Sequence, residues 1–165
     1  MTRSRPYPTN FDWHRDTTLV TWLKGLAKCS LGVTISFGTG RGSLVTSPTY
    51  RTVEEILRKG IRRVNSLCYR NCAKRKDYSI GAVTVIEGRG PFERIHAHIG
   101  FESPPKMSLK QFRAFVAQAF KPSRWIERRP HFGESCNQSW INYMLKLGQE
   151  SLVPSCCFAA KHPVA

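Results

Sequence analysis

At 165 residues and 41% hydrophobic composition, the chain has the size of one compact domain and enough apolar content for a core. It carries no apolar run long enough to span a bilayer, and no apolar segment follows the basic stretch "MTRSRPYPTNFDWHRD", which argues against a secretory signal. Lys and Arg number 26 against 11 Asp and Glu, a formal charge of +15, so the natural partner is a polyanion, nucleic acid first, because each contacted phosphate releases counterions.

These totals lead us to expect an intracellular, cytoplasmic protein with no membrane partner, organised as a single domain over residues 1–165. Six cysteines (Cys29, Cys68, Cys72, Cys136, Cys156, Cys157) include no CxxC pair. Reduced thiols without structural zinc are therefore expected.

In chain order, residues 1–15 read as an irregular basic arm. "DTTLVTWLKGLAKC", 16–29, has a helix-start signal at Asp16 or Thr17, then Leu19, Trp22, Leu23 and Leu26 at helical spacing. "GVTISFG", 32–38, alternates strictly, with Val33, Ile35 and Phe37 on one face and Thr34 and Ser36 on the other, the pattern of a half-buried strand. A connection rich in Gly, Ser and Thr follows. Thr52 with Glu55 suggests a capping box for a helix whose apolar stripe is Val53, Ile56, Leu57, Ile61, Val64 and Leu67. Its other side bears Arg58, Lys59, Arg62, Arg63 and Arg70, a solvated or phosphate-tracking face.

"YSIGAVTVIEG", 78–88, reads as a second strand and "ERIHAHIGF" as a third, joined in a hairpin through "GRGP". Ser108 caps a helix with Leu109, Phe112, Phe115, Val116, Ala119 and Phe120; "SRWIERRPHF", 123–132, suggests a fourth strand; residues 139–149 read as a last helix, and 150–165 as an irregular tail. This order predicts an α+β two-layer sandwich of ferredoxin-like type, an antiparallel sheet with helices on one face and the other face free for a ligand.

Within "RIHAHIGFE", His96 and His98 are two residues apart on a strand and so project the same way, opposite Ile95, Ala97, Ile99 and Phe101. Residues directly opposite across a hairpin have Cβ atoms about 4.5–5.5 Å apart. Pairing of Glu87 with His96 or His98 would bring its carboxylate to both imidazoles, whereas a register shifted by one residue would turn it to the core. Glu93 is a rival third ligand, of opposite parity if the strand starts that early. Two imidazoles and a carboxylate, with positions left for water and phosphate oxygens, suit Mg²⁺ or Mn²⁺. In "INYMLKLG", Tyr143 and Lys146 are three apart on a helix and share a face. A tyrosine beside a metal-bound phosphate can attack phosphorus, and a neighbouring ammonium can stabilise the developing charge.

The strand "TISFG", the strand "IHAHIGF" with Glu87 before it, and the later helix "YMLK" occur in that order. From about Gly32 to Gly148 the chain resembles the HUH endonuclease superfamily, in particular the single-tyrosine replication-initiator (Rep) nickases of rolling-circle replicons. The resemblance implies that His96, His98 and Glu87 bind the divalent cation and that Tyr143 attacks a phosphate of single-stranded DNA, leaving a 5′-phosphotyrosyl enzyme and a free 3′-OH, with Lys146 assisting. No GxxxxGK[ST] loop is present, so unwinding would fall to a separate helicase or to a segment missing from this chain, alongside a host polymerase. For a eukaryotic virus the compartment would be the nucleus. Arg41, Arg51, Arg124, Arg128 and Arg129 are expected to touch phosphates.

Two alternatives share parts of this pattern. A single-tyrosine HUH transposase has the same order and chemistry, and often a glutamine near the tyrosine, for which Gln149 is available. A non-enzymatic RNA-binding module on a similar sandwich would stack bases on aromatics of the open sheet face. Here that face offers His96, His98, Gly100, Thr34 and Ser36, which is poor stacking chemistry.

Overall fold

The computed structural model describes residues 29–38, 47–70, 77–88, 93–133, 140, 143–144 and 151–162. The helix expected over 16–29, except Cys29, falls outside them, as do Arg41, Lys146 and Gln149. The elements are strand β1 (Leu31–Ser36), helix α1 (Tyr50–Tyr69), strands β2 (Gly81–Glu87) and β3 (His96–Glu102), helix α2 (Leu109–Ala119) and a two-residue strand β4 (His131–Phe132). The four strands form one antiparallel sheet in the order β2-β3-β1-β4. The fold is therefore α+β, with two helices on a four-stranded antiparallel sheet.

Alternation decides which face is core. Val33, Ile35, Ala97, Ile99, Phe101, Ala82 and Ile86 are buried on one face, in the same cluster as Val53, Leu57, Ile61 and Val64 of α1 and Phe112 and Val116 of α2. Phe101 meets Phe112 edge-on at 5.8 Å, which locks α2 to the sheet centre. Removing such a buried ring costs about 3–5 kcal/mol. Thr84 also turns to the core, and its hydroxyl donates to the Cys156 carbonyl at 2.9 Å, so the buried polar atom is satisfied.

Local chemistry moved several element boundaries. Helix α1 begins three residues before the Thr52–Glu55 capping box: Thr49 is the N-cap, with extended backbone (φ −69, ψ 157) and its side chain accepting from the Thr52 amide. Glu55 instead pairs with Arg51 at 3.6 Å, one helical turn back. Ser108 caps α2 as expected, accepting from the Gln111 amide. The strand expected over 123–132 keeps only His131–Phe132 on β1 and an isolated bridge between Phe37 and Ile126, because Pro130 and the turn around Ser123 interrupt it.

Residues 151–162, read from sequence as an irregular tail, run beside β2 as an interrupted edge. Val153 donates to the Thr84 carbonyl at 3.0 Å, and Phe158 and Ala82 exchange backbone bonds at 2.8 and 2.9 Å. A three-residue turn, Pro154–Cys156, breaks the run. Its far end is pinned by His162, which bridges the Tyr69 hydroxyl at 2.5 Å and Glu102 Oε1 at 3.1 Å. Lys161 adds an ion pair with Asp77 at 3.0 Å.

The cysteines correct the expectation of thiols throughout. Cys68, Cys156 and Cys157 are free, but Cys29 is disulfide-bonded. Spacing alone held no signal for that bond. No described helix is long and apolar enough to cross a membrane.

Candidate metal centre

The register brings Glu87 directly opposite His96, and Val85 opposite His98, so the carboxylate lies on the same face as both imidazoles. Glu87 Oε2 is 3.3 Å from His96 Nε2 and 3.8 Å from His98 Nε2. Ligand atoms of the three residues lie within 4.8 Å of one another, and this is the group of His, Cys, Asp or Glu side chains among the described residues that could hold a metal ion. Glu93 precedes β3, which starts at His96, and it is not part of the group. The chain turns away just after Glu87 at Gly88, whose φ of +85 suits glycine. A Cβ there would stand 2.1 Å from the Arg94 carbonyl oxygen.

The outer nitrogens of the imidazoles are engaged, which leaves the inner ones aimed at Glu87. His96 Nδ1 donates to the Arg94 carbonyl at 3.0 Å, fixing the tautomer whose Nε2 carries the lone pair. His98 Nδ1 meets the Thr34 hydroxyl at 2.9 Å, across the β1–β3 pairing that sets Thr34 opposite His98. Such outer contacts orient metal-ligating histidines and raise their basicity. The cluster is graded in depth: Glu87 and His98 side chains are 6% and 7% exposed, but His96 is 34% exposed, so the site opens on the His96 side. A buried carboxylate is costly to desolvate unless a cation or hydrogen bonds compensate it. The donor set, two neutral imidazole nitrogens and one carboxylate, fits a divalent ion.

The sheet face bearing the cluster is partly covered, contrary to the expectation that it is free. Gly32 and Gly100 pair directly on β1 and β3. A Cβ on Gly32 would lie 2.8 Å from the Trp140 ring, and one on Gly100 would lie 3.1 Å from Cys29 Sγ and 3.3 Å from Met144 Cε. The paired glycines thus form a trough that seats Trp140 and the fully buried Met144. Sequence reasoning missed this seat, although its signal was present: two glycines at matching parity on the polar face, and a Trp and a Met at i and i+4 in a helix.

Seated this way, the segment brings Tyr143 to the cluster. Its ring meets His98 edge-on at 5.7 Å and Trp140 at 5.7 Å, and Trp140 also meets His98 at 5.8 Å. Tyr143 remains 45% exposed. The structure therefore assembles His96, His98, Glu87 and Tyr143 at one place. Lys146 lies outside the described residues.

Of the arginines, Arg51 stands on the first turn of α1, in the helical layer on the other side of the sheet. Arg124, Arg128 and Arg129 belong to an exposed loop held against the end of β1. Gly38 donates to the Trp125 carbonyl at 3.0 Å, and Glu127 donates to the Ser36 carbonyl at 3.3 Å. Ser36 is the residue opposite His96, so this loop continues the sheet at the same end as the cluster. Arg124 lies over the Trp125 ring, 4.8 Å from its centroid. No protein-family model, curated protein or solved structure matches the chain.

Proposed function

We propose that the protein is a metal-dependent nickase and ligase of single-stranded DNA that forms a 5′-phosphotyrosyl intermediate and initiates rolling-circle replication. The observation that carries this reading is the contact between Tyr143 and His98 within the Glu87–His96–His98 group. The strand order β2-β3-β1-β4 with its two helices supports it, as does the charge of +15.

Glu87, His96 and His98 would hold Mg²⁺ or Mn²⁺, which supplies polarisation of the scissile phosphate. Tyr143 Oη forms a bond to phosphorus as the bond to the 3′ oxygen breaks. The phenolic proton is released to solvent, and the departing 3′ oxygen takes one up as a hydroxyl. The phosphodiester energy is kept in the new Tyr143–phosphate bond, so a 3′-OH can reverse the step without a nucleotide cofactor. Lys146 assists by stabilising charge on the phosphate. Arg124, Arg128 and Arg129 hold flanking phosphates.

The test uses labelled single-stranded DNA from the replicon or element that encodes the chain, with Mn²⁺, on a denaturing gel. A covalent adduct is expected with the wild type and not with Tyr143→Phe, and EDTA or His96→Ala should remove it. Adduct formation by Tyr143→Phe would overturn the assignment of the nucleophile.

A further inference from the structure

Beyond the metal centre, the structure has an open surface cavity of about 450 Å³ between the C-terminal end of α2 and the loop that follows, lined by the half-buried Ala117 and the exposed Gln118, Lys121, Pro122 and Arg129. Its composition is specific. Ala117 and Pro122 supply apolar surface, Gln118 offers an amide that both donates and accepts, and Lys121 and Arg129 supply two cations. None of the five lining residues is acidic, and the nearby carboxylate, Glu127, is turned to Arg94 at 3.5 Å.

Its position is equally specific. The loop carrying Arg129 bonds to β1 through Ser36 and Gly38, so Glu127, Ser36, His96 and Glu87 follow one another across adjacent strands at one end of the sheet. With strands about 4.8 Å apart, the backbone of this loop lies about 10 Å from that of His96. The cavity lies beside α2, in the helical layer on the other face of the sheet from the metal group, so a single strand with one phosphate at that group would reach it by passing round the sheet edge along Arg124 and Arg128.

We propose that this cavity is a nucleotide subsite, taking one base of the single strand against Ala117 and Pro122 with its edge on Gln118, and the flanking phosphates on Lys121 and Arg129. The identity of the ligand as single-stranded DNA rests on the nickase reading, while the subsite itself rests on the lining and placement of the cavity. Sequence preference at one position follows, because a glutamine amide distinguishes base edges and an apolar wall does not.

The experiment is equilibrium binding of fluorescent single-stranded oligonucleotides in EDTA, which needs no catalysis. It is repeated across salt concentrations and with a single abasic position moved along the strand. For the wild type, one abasic position should weaken binding about fivefold or more, the loss expected when one base gives up an apolar contact and a hydrogen bond. In Gln118→Ala that position dependence should shrink. In the double variant Lys121→Ala, Arg129→Ala, the slope of log affinity against log salt should fall by about 1.4, the change expected when two phosphates of a single strand are no longer neutralised. Lys121→Arg with Arg129→Lys should retain the slope, which separates the effect of charge from that of fold. An unchanged slope in the double variant, or a flat abasic profile in the wild type, overturns the subsite and leaves the Tyr143 adduct assay untouched. Absence of any single-strand binding by the wild type at low salt overturns both. Equal binding of the matched RNA with the same dependence on Gln118 would support the subsite and sink DNA as its particular ligand.

Discussion

Glu87 and His96 stand directly opposite each other on β2 and β3, with 3.3 Å between carboxylate and imidazole, and this pairing closes a three-residue ligand group on the polar side of the sheet. Thr34 supports it from the other flank through His98 Nδ1. Thr34→Val keeps the shape of the side chain and removes that contact. It should weaken Mn²⁺ binding about 10- to 100-fold, the usual cost of disturbing a group that orients a metal ligand. Titration calorimetry with Mn²⁺ alone reads this directly, and His98→Ala should bind weaker still. Wild-type affinity in Thr34→Val would show that the threonine does not orient the ligand.

The paired glycines under Trp140 and Met144 give a second prediction. Gly32→Val drives a branched side chain into the Trp140 ring, where even a bare Cβ would sit at 2.8 Å. Overpacking of this kind costs about 1–3 kcal/mol. The variant should unfold at lower denaturant concentration and, more tellingly, should lift Tyr143 from His98. Adduct formation should therefore fall much further than Mn²⁺ affinity. Equal losses in both would mean that the glycines serve the sheet alone.

The strand bearing His96 and His98, the polarity of its two faces and the helix cap at Ser108 were legible because alternation and capping are local rules. Glu87 was legible up to its register, since a hairpin allows two parities and only the geometry of the connection chooses one. Thr34 was placed on the correct face, but its partner depends on β1 lying beside β3, a non-local fact. The N-cap at Thr49 was missed because Thr52–Glu55 satisfies the same sequence pattern three residues later. The edge role of residues 151–162 was invisible: a short interrupted run with a proline carries no strand period, and its bonds go to β2, some 70 residues away in sequence.

Alkaline pH should destabilise the fold. Burial raises the Cys157 and Cys68 thiols from about 9 to about 12 and Cys156 to about 11. Burial, with the charges of Cys68 and Glu102, raises the Tyr69 phenol from about 10 to about 12. The unfolded chain gives up these protons first, so the stabilisation is complete below pH 9 and is lost as pH rises from 9 to 12. Urea midpoints measured from about pH 7 to about pH 11 should stay level and then fall, and Tyr69→Phe should make the fall shallower above about pH 10. The same burial should leave the Cys68, Cys156 and Cys157 thiols slow to alkylate at about pH 8 until the protein unfolds. Rapid labelling of native Cys157 would contradict its enclosure.

His162 should hold the closing edge of the sheet. It joins Tyr69 at the end of α1 to Glu102 at the end of β3, and it belongs to the segment whose amides at Val153 and Phe158 bond to β2. His162→Ala removes both side-chain bonds and leaves a phenol and a carboxylate facing a gap, a cost of about 1–3 kcal/mol. The loss should be regional. Hydrogen exchange at the Phe158 amide should accelerate about tenfold or more, that at Val153 less, since it lies nearer the Pro154–Cys156 turn, and the amides between β1 and β3 should change only with global stability. Uniform acceleration across the sheet would mean that the segment unfolds only with the whole domain. A regional response would make residues 151–162 a separately opening edge, and the backbone bonds of Ala82 and Thr84 on β2 would then be the first of the sheet to meet solvent.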